Sequence, residues 1–175
     1  MLYIITAIIT IILDQLSKYA VIQNLKISES IPILGKILYF THVTNKGGAF
    51  GLFSEFPGFF VVLAVLLIIV GFAMTPKILK LSTTLQVGLG LLFGGTVGNL
   101  IDRLRFGSVI DFIDFKVWPT FNIADIAICV GVGLLAYHIL VKEYNDEKNK
   151  DLPEESEEDN DSKNSEKMDL DTANL

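Results

Sequence analysis

The chain of 175 residues holds a single cysteine, Cys129, and two histidines, His42 and His138. One cysteine excludes a disulfide framework, and its place in an apolar run marks it as a small packing residue. The histidines stand far apart with no cysteine or carboxylate at ligand spacing, so no zinc or iron motif is present. Neither a metal nor another cofactor is expected. Charge is missing where it would normally be found: residues 56–75, FPGFFVVLAVLLIIVGFAMT, carry none. Large apolar side chains are nearly missing from residues 142–175, which hold five Lys against thirteen Asp or Glu. The total charge is −6 and this tail carries −8, so residues 1–141 carry +2. So polar a tail cannot bury enough surface to offset its ordering entropy, and residues 142–175 are predicted to be disordered.

What remains is very apolar. A bilayer core needs about 20 apolar residues per helix, and four segments qualify: 2–22, 56–75, 81–101 and 117–141. The first lacks a basic leader and a small-residue cleavage site and carries Asp14 and Lys18, so it reads as a retained span. Four spans put both termini on one side. Lys and Arg do not choose the side: five (Lys77, Lys80, Lys142, Lys148, Lys150) face six (Lys26, Lys36, Lys46, Arg103, Arg105, Lys116). Between the first two spans, ILYFTHV is β-branched and aromatic, and NKGG is turn chemistry. A small sheet or hairpin at the membrane surface is predicted there.

Against this background, charges inside spans need a reason. Asp14 and Lys18 lie four apart, acid first, and form a helical ion pair; Ser17 and Lys18 are adjacent and diverge, so a serine–lysine dyad is not formed. Asp125 costs about 2.5–3.5 kcal/mol to insert, while each Leu, Ile, Phe or Val returns about 0.3–0.6. Twelve such residues in span four make the Asp tolerable without explaining it. Pro119, Thr120 and Asn122 are helix-start residues, which sets Asp125 near a helix N-terminus, with Asn122 three residues before it on the same face. Asp111 lies just past the end of span three, at the same membrane face. Two carboxylates in a partly desolvated pocket share a proton, one raised in pKa and neutral, the other ionised. Such a pair suits a peptidase that activates water, or a proton relay in a transporter. Residue pattern alone leaves Asp114 open as the partner in place of Asp111, and leaves Asp102 and Arg103 between an interfacial anchor and a site role. A scaffold would need no paired aspartates.

Four blocks then line up in order: Asp14-Gln-Leu-Ser-Lys18; Asn45-Lys-Gly-Gly-Ala-Phe50; Gly94-Gly-Thr-Val-Gly-Asn-Leu-Ile-Asp-Arg103; and Val109-Ile-Asp-Phe with Phe121-Asn-Ile-Ala-Asp125. Together, over residues 1–141, they resemble the bacterial lipoprotein signal peptidases, or signal peptidase II. The resemblance implies an all-α membrane protein of four helices, with a small extracytoplasmic β-cradle between helices one and two and cytoplasmic termini in the bacterial inner membrane. It implies an aspartyl endopeptidase that cuts prolipoproteins before a diacylglyceryl-modified cysteine. Asp111 and Asp125 are then the catalytic pair. Asn99, Asp102, Arg103 and Asn122 shape the site, Asn45, Gly47 and Phe50 face the substrate, and Asp14 and Lys18 support the fold. Expected partners are the prolipoprotein signal peptide and membrane lipids, with no nucleic acid, and the protein is expected to be monomeric. The family's turn reads Asn-x-Gly-Ala-Ala-Phe, and Gly48 stands here at the first Ala. Gly94, Gly95 and Gly98 leave room for another helix, and the expectation is that the signal peptide docks near these glycines. Asp111 is expected to hold the proton, because the helix N-terminus favours the charge of Asp125.

Overall fold

The computed structural model describes residues 1–46 and 57–150. Its elements run α1 (Leu2–Asn24), β1 (Ser30–Leu34), β2 (Leu38–Asn45), α2 (Pro57–Ile78), α3 (Thr83–Phe106), β3 (Val109–Asp114) and α4 (Ile123–Lys150). The chain divides into two compact units, Met1–Ile139 and Leu140–Leu175. Of the second, only the last part of α4 is described, so residues 142–150 are helical where a disordered tail is expected from 142 onward. Residues 151–175 of that tail lie outside the described residues.

All four helices are long and apolar enough to cross a membrane. Large apolar side chains such as Ile9, Leu13, Val62, Leu66 and Ile69 are exposed along them, as a lipid-facing surface requires. With apolar surface already in apolar solvent, close packing holds the helices together, and small residues permit it. The third helix supplies them. A Cβ added at Gly90 or Gly94 would lie 2.7 Å from the carbonyl oxygen of Tyr3 or Ala7 on α1. One added at Gly95 would lie 2.5 Å from the carbonyl oxygen of Ala124 on α4. The third helix is thus sandwiched between α1 and α4, and the face around Gly95 is filled by the protein's own helix. Docking of a signal peptide there, as the sequence suggests, is corrected by this contact.

Strand order is β1-β2-β3, antiparallel throughout. The hairpin β1–β2 follows the β-branched and aromatic run between the first two helices. The third strand comes from between α3 and α4, so the sheet is not built from the first loop alone. Gly107, at φ 69°, ends α3 in the left-handed conformation and donates its N–H to the Arg103 carbonyl, which turns the chain sharply into β3. The fourth helix starts at Ile123, not 117, because Phe121 is still bound to the strand: its N–H donates to the Ile113 carbonyl and its carbonyl accepts from Phe112 and Ile113. Val21 of α1 and Leu25, just past its end, pack with Ile110 and Phe112 of β3 in a small apolar core.

Candidate active site

The most deeply buried large side chains are not apolar. Lys18, Asn122, Asp14, Asp102 and Asp111 are all nearly inaccessible, and they converge where α1, α3, β3 and the start of α4 meet. Buried charges persist only if paired and hydrogen-bonded, and each of these is. The Lys18 ammonium has three donors. They go to Asp14 (2.9 Å), Asp102 (2.8 Å) and Asn99 Oδ1 (2.9 Å). The predicted Asp14–Lys18 pair is therefore one edge of a larger centre that also takes in Asp102.

The two carboxylates do more than neutralise Lys18. Asp14 Oδ1 accepts the N–H of Ala124 at 3.0 Å, in the first turn of α4. Asp102 Oδ2 accepts the N–H of Ile110 at 3.1 Å, next to Asp111. Gln15 ties them together, its Nε2 donating to Asp102 Oδ1, Asp14 Oδ2 and the Gly98 carbonyl. Asn122 caps α4: its Oδ1 accepts the Asp125 N–H at 2.9 Å, and its own N–H donates to Asp125 Oδ2 at 3.2 Å. This reciprocal arrangement is a capping box, and it fixes the Asp125 carboxylate against the first turn of its own helix.

Asp111 and Asp125 line one cavity of about 440 Å3 together with Asn45, Asn99 and Arg103. Its other walls are largely apolar, including Trp118, Ile126 and Val130. Asn122 Nδ2 donates to Asp111 Oδ1 at 2.7 Å and to Asn99 Oδ1 at 3.1 Å. Asn99 Nδ2 donates in turn to Asp125 Oδ1 at 2.8 Å. The two asparagines therefore link the carboxylates to each other and, through Asn99, to Lys18. Asn45, at the end of β2, donates to Asp111 Oδ2 at 2.9 Å. Burial, and next the negative charge of Asp125, push the Asp111 carboxyl up to about 7, against the smaller opposing effect of the Asn45 and Asn122 hydrogen bonds. The Arg103 guanidinium sits 5.1 Å over the Phe60 ring and borders the cavity.

The segment around Asp111 is extended, so Asp111 and Asp114 face opposite sides of the strand. Asp114 accepts from Thr41 (2.7 Å) and from Lys116 Nζ (2.7 Å), on the other side of β3 from the cavity. Burial raises its pKa, but the hydrogen bonds of Lys116 and Thr41 outweigh that and hold the carboxyl below the usual value. The alternative pairing of Asp114 with Asp125 has no geometry to support it. Gly47 and Phe50 lie outside the described residues. Two residues escape a reading of the sequence. Gln15 sits inside the Asp14–Lys18 block, and only its three contacts reveal it. Cys129 lies one helical turn beyond Asp125 and borders the cavity, instead of packing inside the bundle. Among the described residues no three His, Cys, Asp or Glu gather as a metal-holding group.

Four membrane-crossing helices, a three-stranded sheet and two carboxylates in one apolar-walled cavity define a multi-pass membrane protein. The sequence model of signal peptidase (SPase) II matches residues 6–141. A lipoprotein signal peptidase of Moorella thermoacetica is 41% identical over 139 residues, covering 79% of this chain and 93% of that protein. One from Halothermothrix orenii is 40% identical over 143 residues, covering 82% and 97%. A solved bacterial membrane enzyme, determined by the in meso method at 2.3 Å, superposes with a TM-score of 0.73 at 32% identity, covering 89% of this chain and 93% of that one. The chain belongs to the signal peptidase II family, and it is a membrane peptidase.

Proposed function

We propose that this protein is an aspartyl endopeptidase that removes the signal peptide from prolipoproteins, cutting before the diacylglyceryl-modified cysteine, with Asp111 and Asp125 as the catalytic pair. The observation that carries the reading is the sharing of one cavity by the two carboxylates, with Asn122 hydrogen-bonded to both. Asp125 is the ionised member. It takes a proton from water while the oxygen attacks the scissile carbonyl carbon, and neutral Asp111 donates its proton to the carbonyl oxygen. In the second step Asp125 returns its proton to the amide nitrogen, Asp111 recovers one from the gem-diol, and the C–N bond breaks. Water adds across the amide and both side chains end as they began. Asn99 and Asn122 hold the carboxylates apart from solvent reorganisation, and Arg103 balances the negative charge that the pair carries between turnovers.

The apolar walls suit the acyl chains of a substrate that never leaves the bilayer. A transporter would need charges strung along a path through the membrane. Here Lys18 is instead bound between Asp14 and Asp102, and those two carboxylates accept backbone N–H groups of the elements that bear the pair. The chain acts as a monomer in the bacterial cytoplasmic membrane, with its termini in the cytoplasm and its site towards the outer face. The test is cleavage of a diacylglyceryl-modified prolipoprotein by purified protein, with and without chelator, beside Asp111→Asn and Asp125→Asn. Chelator-insensitive cleavage lost in both variants is expected. Cleavage that survives both substitutions refutes the assignment.

A further inference from the structure

A second cavity, of about 460 Å3, lies between α2 and α3 with Tyr3 of α1 at its side. Among the described residues it shares no lining residue with the first. It runs along α2 from Leu67 to Ile78, which is eleven residue steps or about 16 Å at the helical rise. That is close to the depth of one leaflet, half of a hydrocarbon core of about 30 Å. One end is at Thr96, midway along α3, and the other is at the exposed Lys77 and Leu81, where α2 ends and α3 begins, at the end of the helices opposite Asp111 and Asp125.

The lining says what fits. Leu67, Val70, Met74, Leu89, Leu92 and Phe93 are apolar, and the cleft offers almost no polar surface. The two hydroxyls are already engaged: Thr96 Oγ1 donates to the Leu92 carbonyl at 2.7 Å and Tyr3 Oη to that of Gly71 at 3.5 Å. A polar ligand would find no partner in the shaft. The mouth differs. Among the described residues Lys77 is the one charged side chain in the lining, and Lys80 follows one turn later. Among the described residues neither forms an ion pair. An apolar shaft one leaflet deep under an unpaired ammonium at headgroup level has the chemistry of a single lipid.

We propose that this cleft is a binding site for one anionic glycerophospholipid, an acyl chain lying between α2 and α3 and the phosphate on Lys77. The site is independent of the peptide chemistry and lies in the other leaflet. A zwitterionic lipid offers the same chain, but its own cation offsets the attraction of Lys77, so discrimination rests on that residue.

The test is native mass spectrometry of the full chain released from detergent with equimolar dioleoyl phosphatidylglycerol and dioleoyl phosphatidylcholine. The expected result is one retained phosphatidylglycerol, favoured at least fivefold over phosphatidylcholine. Lys77→Gln, a change on an exposed side chain that cannot unfold the bundle, should bring the preference to within twofold of parity. Lys80→Gln, outside the cleft, should leave it. Leu89→Trp fills the shaft and should reduce retention of both lipids, with thermal unfolding as its fold control. Retention of the two lipids within twofold of each other in the unsubstituted protein overturns the proposal. So does a preference unchanged by Lys77→Gln, or a second copy of the chain retained in place of lipid and lost in Leu89→Trp.

Discussion

Replacing Asp111 by Asn should make the protein more stable as pH rises, while abolishing cleavage. The carboxyl has an ordinary value of 3.8 and is pushed to about 7 in the fold, chiefly by burial. Between those values the folded state holds a proton that the unfolded chain has released. Stability therefore falls as pH rises from about 4 through about 7, and it is level above that. A carboxyl raised from 3.8 to about 7 corresponds to about 4 kcal/mol across the window. Asn cannot ionise and is free of this loss. At low pH the substitution is nearly neutral. The protonated acid and the amide each set one donor against the two amides of Asn45 and Asn122, so the mismatch cancels. The advantage of the variant should open from pH 5 to about pH 7 and hold level at pH 8. At about 2–4 °C per kcal/mol for a chain of this size, it amounts to several degrees in Tm. The assay is thermal unfolding of both proteins in the same detergent at pH 5, 6, 7 and 8, with cleavage measured in parallel. A Tm difference that does not change with pH, or a variant less stable at every pH, refutes the reasoning that Asp111 is a strained, desolvated acid.

Three further outcomes follow from the same geometry. Gly95→Leu should lower Tm sharply and lose cleavage with the fold, because even its Cβ meets the Ala124 carbonyl at 2.5 Å; normal unfolding with a selective loss of substrate binding would return Gly95 to the substrate surface. Lys18→Met should leave Asp14 and Asp102 buried without their cation and cost about 3–5 kcal/mol, read as reduced folded yield and early unfolding; a variant of unchanged Tm would mean the centre is hydrated. Asp114→Asn should retain most cleavage and lose a kcal/mol or so of stability, since it breaks only the Lys116 and Thr41 contacts on the far side of β3; a variant as inactive as Asp111→Asn would show that the far face of the strand takes part in catalysis.

What could be read from the sequence was set by range. Long apolar runs place four helices without any tertiary information, because bilayer thickness alone demands their length. The Asp14–Lys18 pair and the Asn122–Asp125 cap are equally legible, being three or four residues apart on their helices. The strand at Val109–Asp114 was not, although its extended form decides between Asp111 and Asp114. Its pattern allows helix or strand, and what selects strand is pairing with β2, whose residues lie more than sixty positions earlier. The glycines were read for the right property and the wrong neighbour: their spacing announces a close-packed helix but does not say whose. The roles of Asp14 and Asp102 were illegible for the same reason, since the N–H of Ala124 lies 110 positions from Asp14. Each of these carboxylates holds both Lys18 and a backbone N–H beside a catalytic candidate, Asp14 with its two oxygens and Asp102 with Oδ2 alone. The charges buried in α1 and α3 are thereby spent on orienting two aspartates that neither helix carries. A bundle held together mainly by glycine contacts has few other means of fixing side chains to the tolerance that proton transfer requires.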